Sequence, residues 1–275
     1  MIIRNLRVAW LHIRKQPLVH TLLIVGFALG MSVGLFALLI WNGRATMDTR
    51  INQETPLYRI TSQVNRNYPF ATSGIEVYDF LQNRGDVTTL FQLSPLGEVV
   101  ITSKNQTDEF SEEGMVFRGP FFETFDPAWI QYEYTDLSQD PNVVFVSSRL
   151  AQKLFGTVNA LNRPLESPTL GLLTVKGIFD AENNQYHVQP DFYVPWSLRQ
   201  SLITQGTLPE SNVTERVFRG AYTYLATTEN PASFLPGLTE QMKPLYQNDE
   251  VISDATYHPQ PLSDIVSDKL PLDTP

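Results

Sequence analysis

Residues 146–156 read VSSRLAQKLFG, and the fold class follows from how this stretch parses. Val146 ends an extended run. Ser147 or Ser148 then offers a side-chain oxygen to the unpaired N–H groups of a helix start. Leu150, Leu154 and Phe155 recur at the spacing of one helical face, and Gly156 can take the left-handed conformation that stops a helix. The stretch is strand, cap, short helix and stop: a structural unit rather than a catalytic one. Downstream, Pro164 marks a turn, LLTVKGIFD at 172–180 reads as a strand and DFYVP at 191–195 as another.

Extended in both directions, the same patterns predict further strands over 57–64, 86–93, 98–102, 109–117, 129–134, 142–146 and 221–227. Helices are expected over 73–83, with Ser73 as a cap, and over 148–155, 195–204 and 232–246. This mixture predicts an α+β domain, with no internal repeat at a period of roughly 20–50 residues. Over 259–275 four prolines and interspersed aspartates predict an extended connector rather than a packed element.

Before this domain, the 24 residues from Leu18 to Trp41 contain no Asp, Glu, Lys or Arg, and only His20, Thr21 and Ser32 interrupt the apolar run. A bilayer core of about 30 Å needs roughly 20 such residues in a helix, so the run predicts a transmembrane helix over 18–42. A cleaved signal peptide would have an apolar stretch of only about 7–15 residues and a small-residue cleavage motif, so an uncleaved anchor is the better match. Arg4, Arg7, Arg14 and Lys15 lie before the span, against Arg44, Arg50 and Asp48 after it. The positive-inside rule then puts the N-terminus in the cytoplasm and residues 43–275 outside. Ile2, Leu6, Ala9 or Trp10, and Ile13 recur at helical spacing among these cations, which predicts an amphipathic interfacial helix over 1–17 that turns at Pro17. Within the span Gly26, Gly30 and Gly34 share one face, where small residues let a second helix approach closely.

Charge divides the chain in the same way. Residues 1–50 hold six Lys/Arg and one Asp, a net +5, whereas the rest holds 14 Lys/Arg against 28 Asp/Glu, a net −14. The acidic body excludes a nucleic-acid partner, which needs a basic surface. With no cysteine, stability rests on core burial, and the chain is compatible with a bacterial periplasm. No G-x-S-x-G, S-x-x-K, P-loop or H-E-x-x-H signature occurs, so no catalytic residue, cofactor or metal site is expected. Of the four histidines only His187 and His258 lie in the exported part, and both read as surface or loop residues. Asp180, Glu182 and Asn184 alternate like half a calcium loop, but Gln185 stands where the turn needs Gly. Asn105 and Asn212 open N-x-T sequons that matter only in a eukaryotic secretory pathway.

The ordered series of motifs resembles the MacB/FtsX-type ABC-transporter permeases. The Lys-Leu-Phe-Gly helix end, the TVKGI strand and the DFYVP strand follow the order of that family's periplasmic core domain. LRVAWLHIRKQP at 6–17, PLYRIT at 56–61, GPFFETFDP at 119–127 and PLSDI at 261–265 are similar to its other segments. The resemblance implies a periplasmic core domain over 43–258 made of two subdomains: a porter-like α+β part from the early and late segments, and a strand-rich insertion near 119–219. It implies that 259–275 leads toward a second span, so that the chain represents the N-terminal half of a four-span permease. By the same token it implies a cytoplasmic ABC ATPase subunit as partner, the membrane helices of the remaining half or of a second permease, a dimeric permease, and a periplasmic partner protein. Function would be mechanotransmission in an inner membrane, with no catalysis by this chain. The alternative is a single-pass anchored periplasmic binding or scaffold protein that acts without an ATPase.

Overall fold

The structure is a computed structural model that describes residues 17–45, 55–64, 68–103, 108–133, 139–182, 186–208, 220–246 and 254–265. It contains two units, residues 1–47 and 48–275. The described residues of the first form a helix, α1 (Pro17–Ala45), of which Pro17–Leu39 is long and apolar enough to cross a membrane by length and composition.

In the second unit the strands are β1 (Leu57–Val64), β2 (Tyr68–Phe70), β3 (Val87–Ser103), β4 (Phe110–Arg118), β5 (Trp129–Tyr132), β6 (Val143–Ser147), β7 (Pro164–Ser167), β8 (Gly171–Phe179), β9 (Phe192–Pro195), β10 (Tyr222–Thr227) and β11 (Thr256–Pro261). The helices are α2 (Val77–Leu81), α3 (Phe121–Phe125), α4 (Ser148–Phe155), α5 (Trp196–Thr204), α6 (Pro231–Tyr246) and α7 (Leu262–Ile265). The fold is thus α+β, an apolar N-terminal helix followed by a strand-rich domain. These eleven strands form one sheet in the order β11-β1-β10-β3-β4-β9-β6-β8-β5, with β2 beside β1 and β7 joining β3 to β8.

The stretch 146–156 folds as its chemistry dictates. Ser147 has extended backbone, its Oγ accepts the Leu150 N–H at 3.1 Å, and Gly156 closes the helix at φ 68° with its N–H on the Gln152 carbonyl. Leu150, Ala151 and Leu154 are buried against the sheet.

Part of the sheet closes on itself. β3 pairs β4, then β9, β6, β8 and β7 follow, and β7 returns to β3 through Thr102↔Glu166 and Ser103↔Leu165. One apolar core fills this ring, with Ile101, Val116, Val146, Leu165, Val175 and Val194 pointing inward and α4 and α5 packed onto it. A second core lies among β1, β3, β10, α2 and α6 and includes Ile60, Val77, Leu90, Leu225, Leu235 and Met242. The third is aromatic, built on Phe91, Phe117, Phe121, Phe122, Phe145 and Tyr193, with ring centroids 4.6–6.5 Å apart.

Four local expectations are corrected. The strands predicted over 86–93 and 98–102 are one 17-residue strand, β3, because a bulge at Pro95/Gly97 carries the ladder through the turn residues. Ser73 caps no helix: it bridges Ala221, its hydroxyl bonds that of Thr223 at 2.6 Å, and α2 spans only Val77–Leu81. β2 and β7 were not anticipated. Residues 259–261, read as the start of a connector, are extended but packed: Pro259, Gln260 and Pro261 pair with Ile60, Arg59 and Tyr58 of β1, and Ile265 of α7 is buried.

Candidate functional site

α1 exposes its apolar side chains along the described part, and its Ser32 hydroxyl donates back to the Ala28 carbonyl at 2.8 Å. A Cβ built on Gly26, Gly30 or Gly34 meets nothing within 4 Å, so these positions form an open, shallow stripe. Arg4, Arg7, Arg14 and Lys15 lie outside the described residues.

In the domain, the first and last described strands are neighbours. β1 and β11 run antiparallel over six register pairs, from Tyr58↔Pro261 to Gln63↔Thr256. At Arg59↔Gln260 the guanidinium is fully buried and donates from Nε (3.1 Å) and Nη2 (2.8 Å) to Gln260 Oε1. Tyr222 lies under it at 5.9 Å. A buried cation needs such partners, so the pair clamps the two strands together.

A polar row crosses the sheet between two of the cores. Thr223 of β10 faces Gln92 of β3, and Gln92 faces Arg118 of β4. Gln92 is 2% exposed and donates to Thr223 Oγ1 at 2.8 Å and to the Ile75 carbonyl at 3.2 Å. Arg118 pairs with Asp79 of α2 at 2.6 Å while its guanidinium lies 4.0 Å from the Tyr78 ring and 5.2 Å from that of Trp196, on α5. Burial raises the Tyr78 phenol above its ordinary pKa, with Arg118 pulling the other way. Gly119, at φ +81°, turns the chain directly after Arg118, and a Cβ there would stand 2.4 Å from the Leu90 carbonyl.

Beside this row, α2 and α6 border a groove of about 310 Å³ lined by Phe80, Leu81, Arg84, Phe234 and Leu238. Arg84 lies 4.0 Å over the Phe234 ring and bonds Asp86 at 3.0 Å. Burial works to raise the Asp86 pKa, but the bonds from Arg84, its own backbone and Thr227 outweigh it and lower it.

The remaining sequence candidates fall apart spatially. His187 Nε2 bonds the Tyr224 hydroxyl beside Phe125, whereas His258 contacts Thr256 at 3.0 Å on β11. Asp180 Oδ1 accepts the Glu182 N–H at 2.9 Å in a local turn, and Asn184 lies outside the described residues, as do Asn105 and Asn212. Among the described residues no group of three His, Cys, Asp or Glu is placed to hold a metal ion.

With this geometry in view, the comparisons are specific. The family model for the MacB-like periplasmic core domain matches residues 20–234. The chain belongs to the MacB-like periplasmic core domain family. Its fold is similar to a domain of a permease protein from Porphyromonas gingivalis, with TM-score 0.55 and 16% identity over 76% of this chain and 91% of that one. It is also similar to the periplasmic region of MacB from Actinobacillus actinomycetemcomitans, with TM-score 0.52 and 14% identity over 82% of this chain and 96% of that one. No curated protein matches it by sequence. In this MacB-like domain the residues that sequence reading missed are Arg59, Gln92, Arg118 and Gln260. The one legible signal was a charged residue, Arg59, inside an otherwise strand-like run.

Proposed function

We propose that this chain is part of a membrane-anchored permease of the MacB/FtsX type, which passes ATPase-driven movement to a periplasmic domain. In this reading α1 spans the bacterial inner membrane with its N-terminus in the cytoplasm, held by Arg4, Arg7, Arg14 and Lys15. ATP hydrolysis takes place in a separate cytoplasmic subunit, and the substrate is exported or extracted by mechanical rearrangement. Gly26, Gly30 and Gly34 pack against membrane helices of the rest of the permease, which works as a dimer and engages a periplasmic partner. The porter-like part comprises the segments around β1, β10, α6 and β11, and the ring from β3 to β9 holds the insertion near 119–219.

The family membership carries this reading, and the β1/β11 pairing supports it. Strands from the two ends of the domain share one ladder and the buried Arg59–Gln260 clamp, so a pull on either is transmitted to both. The test is co-purification. From solubilised membranes of the native host, the tagged chain is expected to recover an ABC ATPase, and Gly30→Leu is expected to reduce that recovery while leaving the chain inserted. Recovery of the chain without any ATPase favours the anchored binding or scaffold protein instead.

A further inference from the structure

Two apolar cores lie on the same face of the sheet, and what separates them is polar. Leu90 of β3 belongs to the core under α2 and α6, and Val116 of β4 to the core inside the ring. Between them on that face stand Gln92 and Arg118, directly opposite each other across the β3/β4 ladder. Arg118 touches side chains of both helical layers, Asp79 and Tyr78 of α2 on one side and Trp196 of α5 on the other. The tie is partly wet: Asp79 is 52% exposed and Arg118 19%.

Its buried neighbour is incomplete. Both donations from Gln92 Nε2 are satisfied, yet Gln92 Oε1 is buried and has no hydrogen-bond partner among the described residues. A buried carbonyl without a donor is unfavourable, and here a guanidinium with five N–H groups stands one cross-strand position away.

We propose that Arg118 is a two-position latch between the layers. In the position observed it holds α2 to the ring through Asp79. In the other its guanidinium turns inward to Gln92 Oε1, Asp79 is left to water, and α2 moves independently of α5 across the shared sheet. Each position satisfies one acceptor and leaves the other unpaired by Arg118, which makes the two close in free energy and sensitive to load. Gly119 anchors the backbone in both positions, so only the side chain has to move. The latch adds a moving part to the mechanotransmission reading, and its test requires no ATPase, so either can fail without the other.

The chain has no cysteine, so spin labels can be placed at Asn83→Cys and Gln200→Cys, exposed positions beside α2 and on α5. In the full chain reconstituted in nanodiscs, pulsed dipolar spectroscopy is expected to show one dominant distance. Asp79→Asn removes the ionic partner and is expected to raise a second, discrete distance about two- to fivefold, the range an exposed ion pair commands. Adding Gln92→Leu to Asp79→Asn is expected to lower that second distance, since Arg118 then has no inward acceptor to leave α2 for. Raising salt on the labelled chain without either substitution should reproduce the Asp79→Asn effect and needs no folding-sensitive change. An unaltered distribution in both Asp79→Asn and high salt overturns the latch, as does a second distance that Gln92→Leu leaves undiminished.

Discussion

Replacing Gln260 by Leu takes an acceptor from a buried cation, and the structure sets the size of the effect. The substitution deletes the acceptor for both the Nε and Nη2 donors of Arg59, whose side chain has no exposed surface. Hydrogen bonds to a charged group contribute about 1.5–3 kcal/mol, and removing one partner from a buried charge costs up to about 3–5 kcal/mol. Arg59 keeps its contact with the Tyr222 ring and further interactions, so the lower range applies. In a domain of this size each kcal/mol moves the midpoint by about 2–4 °C, so Gln260→Leu is expected to lower Tm by about 3–12 °C. The assay is thermal unfolding of the full chain in detergent, followed by near-ultraviolet circular dichroism. Arg59→Met alone is expected to destabilise less, by about 1–3 kcal/mol, because the partner it deprives of a hydrogen bond is a neutral amide rather than a cation. The double variant Arg59→Met/Gln260→Leu should recover most of the loss, since apolar replacement of both buried partners is close to neutral. A Gln260→Leu midpoint within about 1 °C of the unaltered chain, or a double variant as unstable as the sum of the singles, would refute the clamp.

Two further outcomes follow from packing and burial. Gly114→Ala puts a Cβ 2.2 Å from the ring of fully buried Phe192, so it should lower stability by about 1–3 kcal/mol in urea titration; Gly85→Ala, which meets open space, should stay within about 0.5 kcal/mol. Burial raises the phenols of Tyr193 and Tyr257 above the ordinary value of 10.0, so the unfolded chain ionises first and stability falls as pH rises beyond that value. Tyrosinate absorbance from these two should therefore appear only with loss of the native dichroism, and Tyr193→Phe should move the alkaline midpoint upward; titration of every tyrosine in a still-folded chain would contradict this.

How far the local sequence reaches can be seen element by element. β1 and α4 have the bounds their residues predict, because alternation and capping act between residues at most four apart: Ser147 reaches Leu150, and Gly156 reaches Gln152. The apolar helix was legible for a simpler reason, since 24 residues without a charge have few alternatives. Where local signals compete with distant partners, they lose. Ser73 has the chemistry of a cap, but Ala221 and Thr223, about 150 positions away, claim its backbone and hydroxyl. Pro95 and Gly97 look like a break between two strands, yet β4 pairs on both sides of them and makes one strand.

The candidate site divides in the same way. Gly26, Gly30 and Gly34 could be named from spacing alone, because a helix of known period places them on one face whatever surrounds it. Arg59 and Gln260 are 201 positions apart, and Gln92, Thr223 and Arg118 meet only because β10, β3 and β4 lie side by side in one register. By itself the sequence determined the apolar helix, the alternation of strands and helices, the acidic body and the motif order that points to the family. Tertiary structure alone decided the closing of the ring, the seam between two cores and the burial of a cation beside β11. The physical reason is that propensity and periodicity act over a few residues, whereas strand order and register are settled by which faces can be buried together across the whole domain.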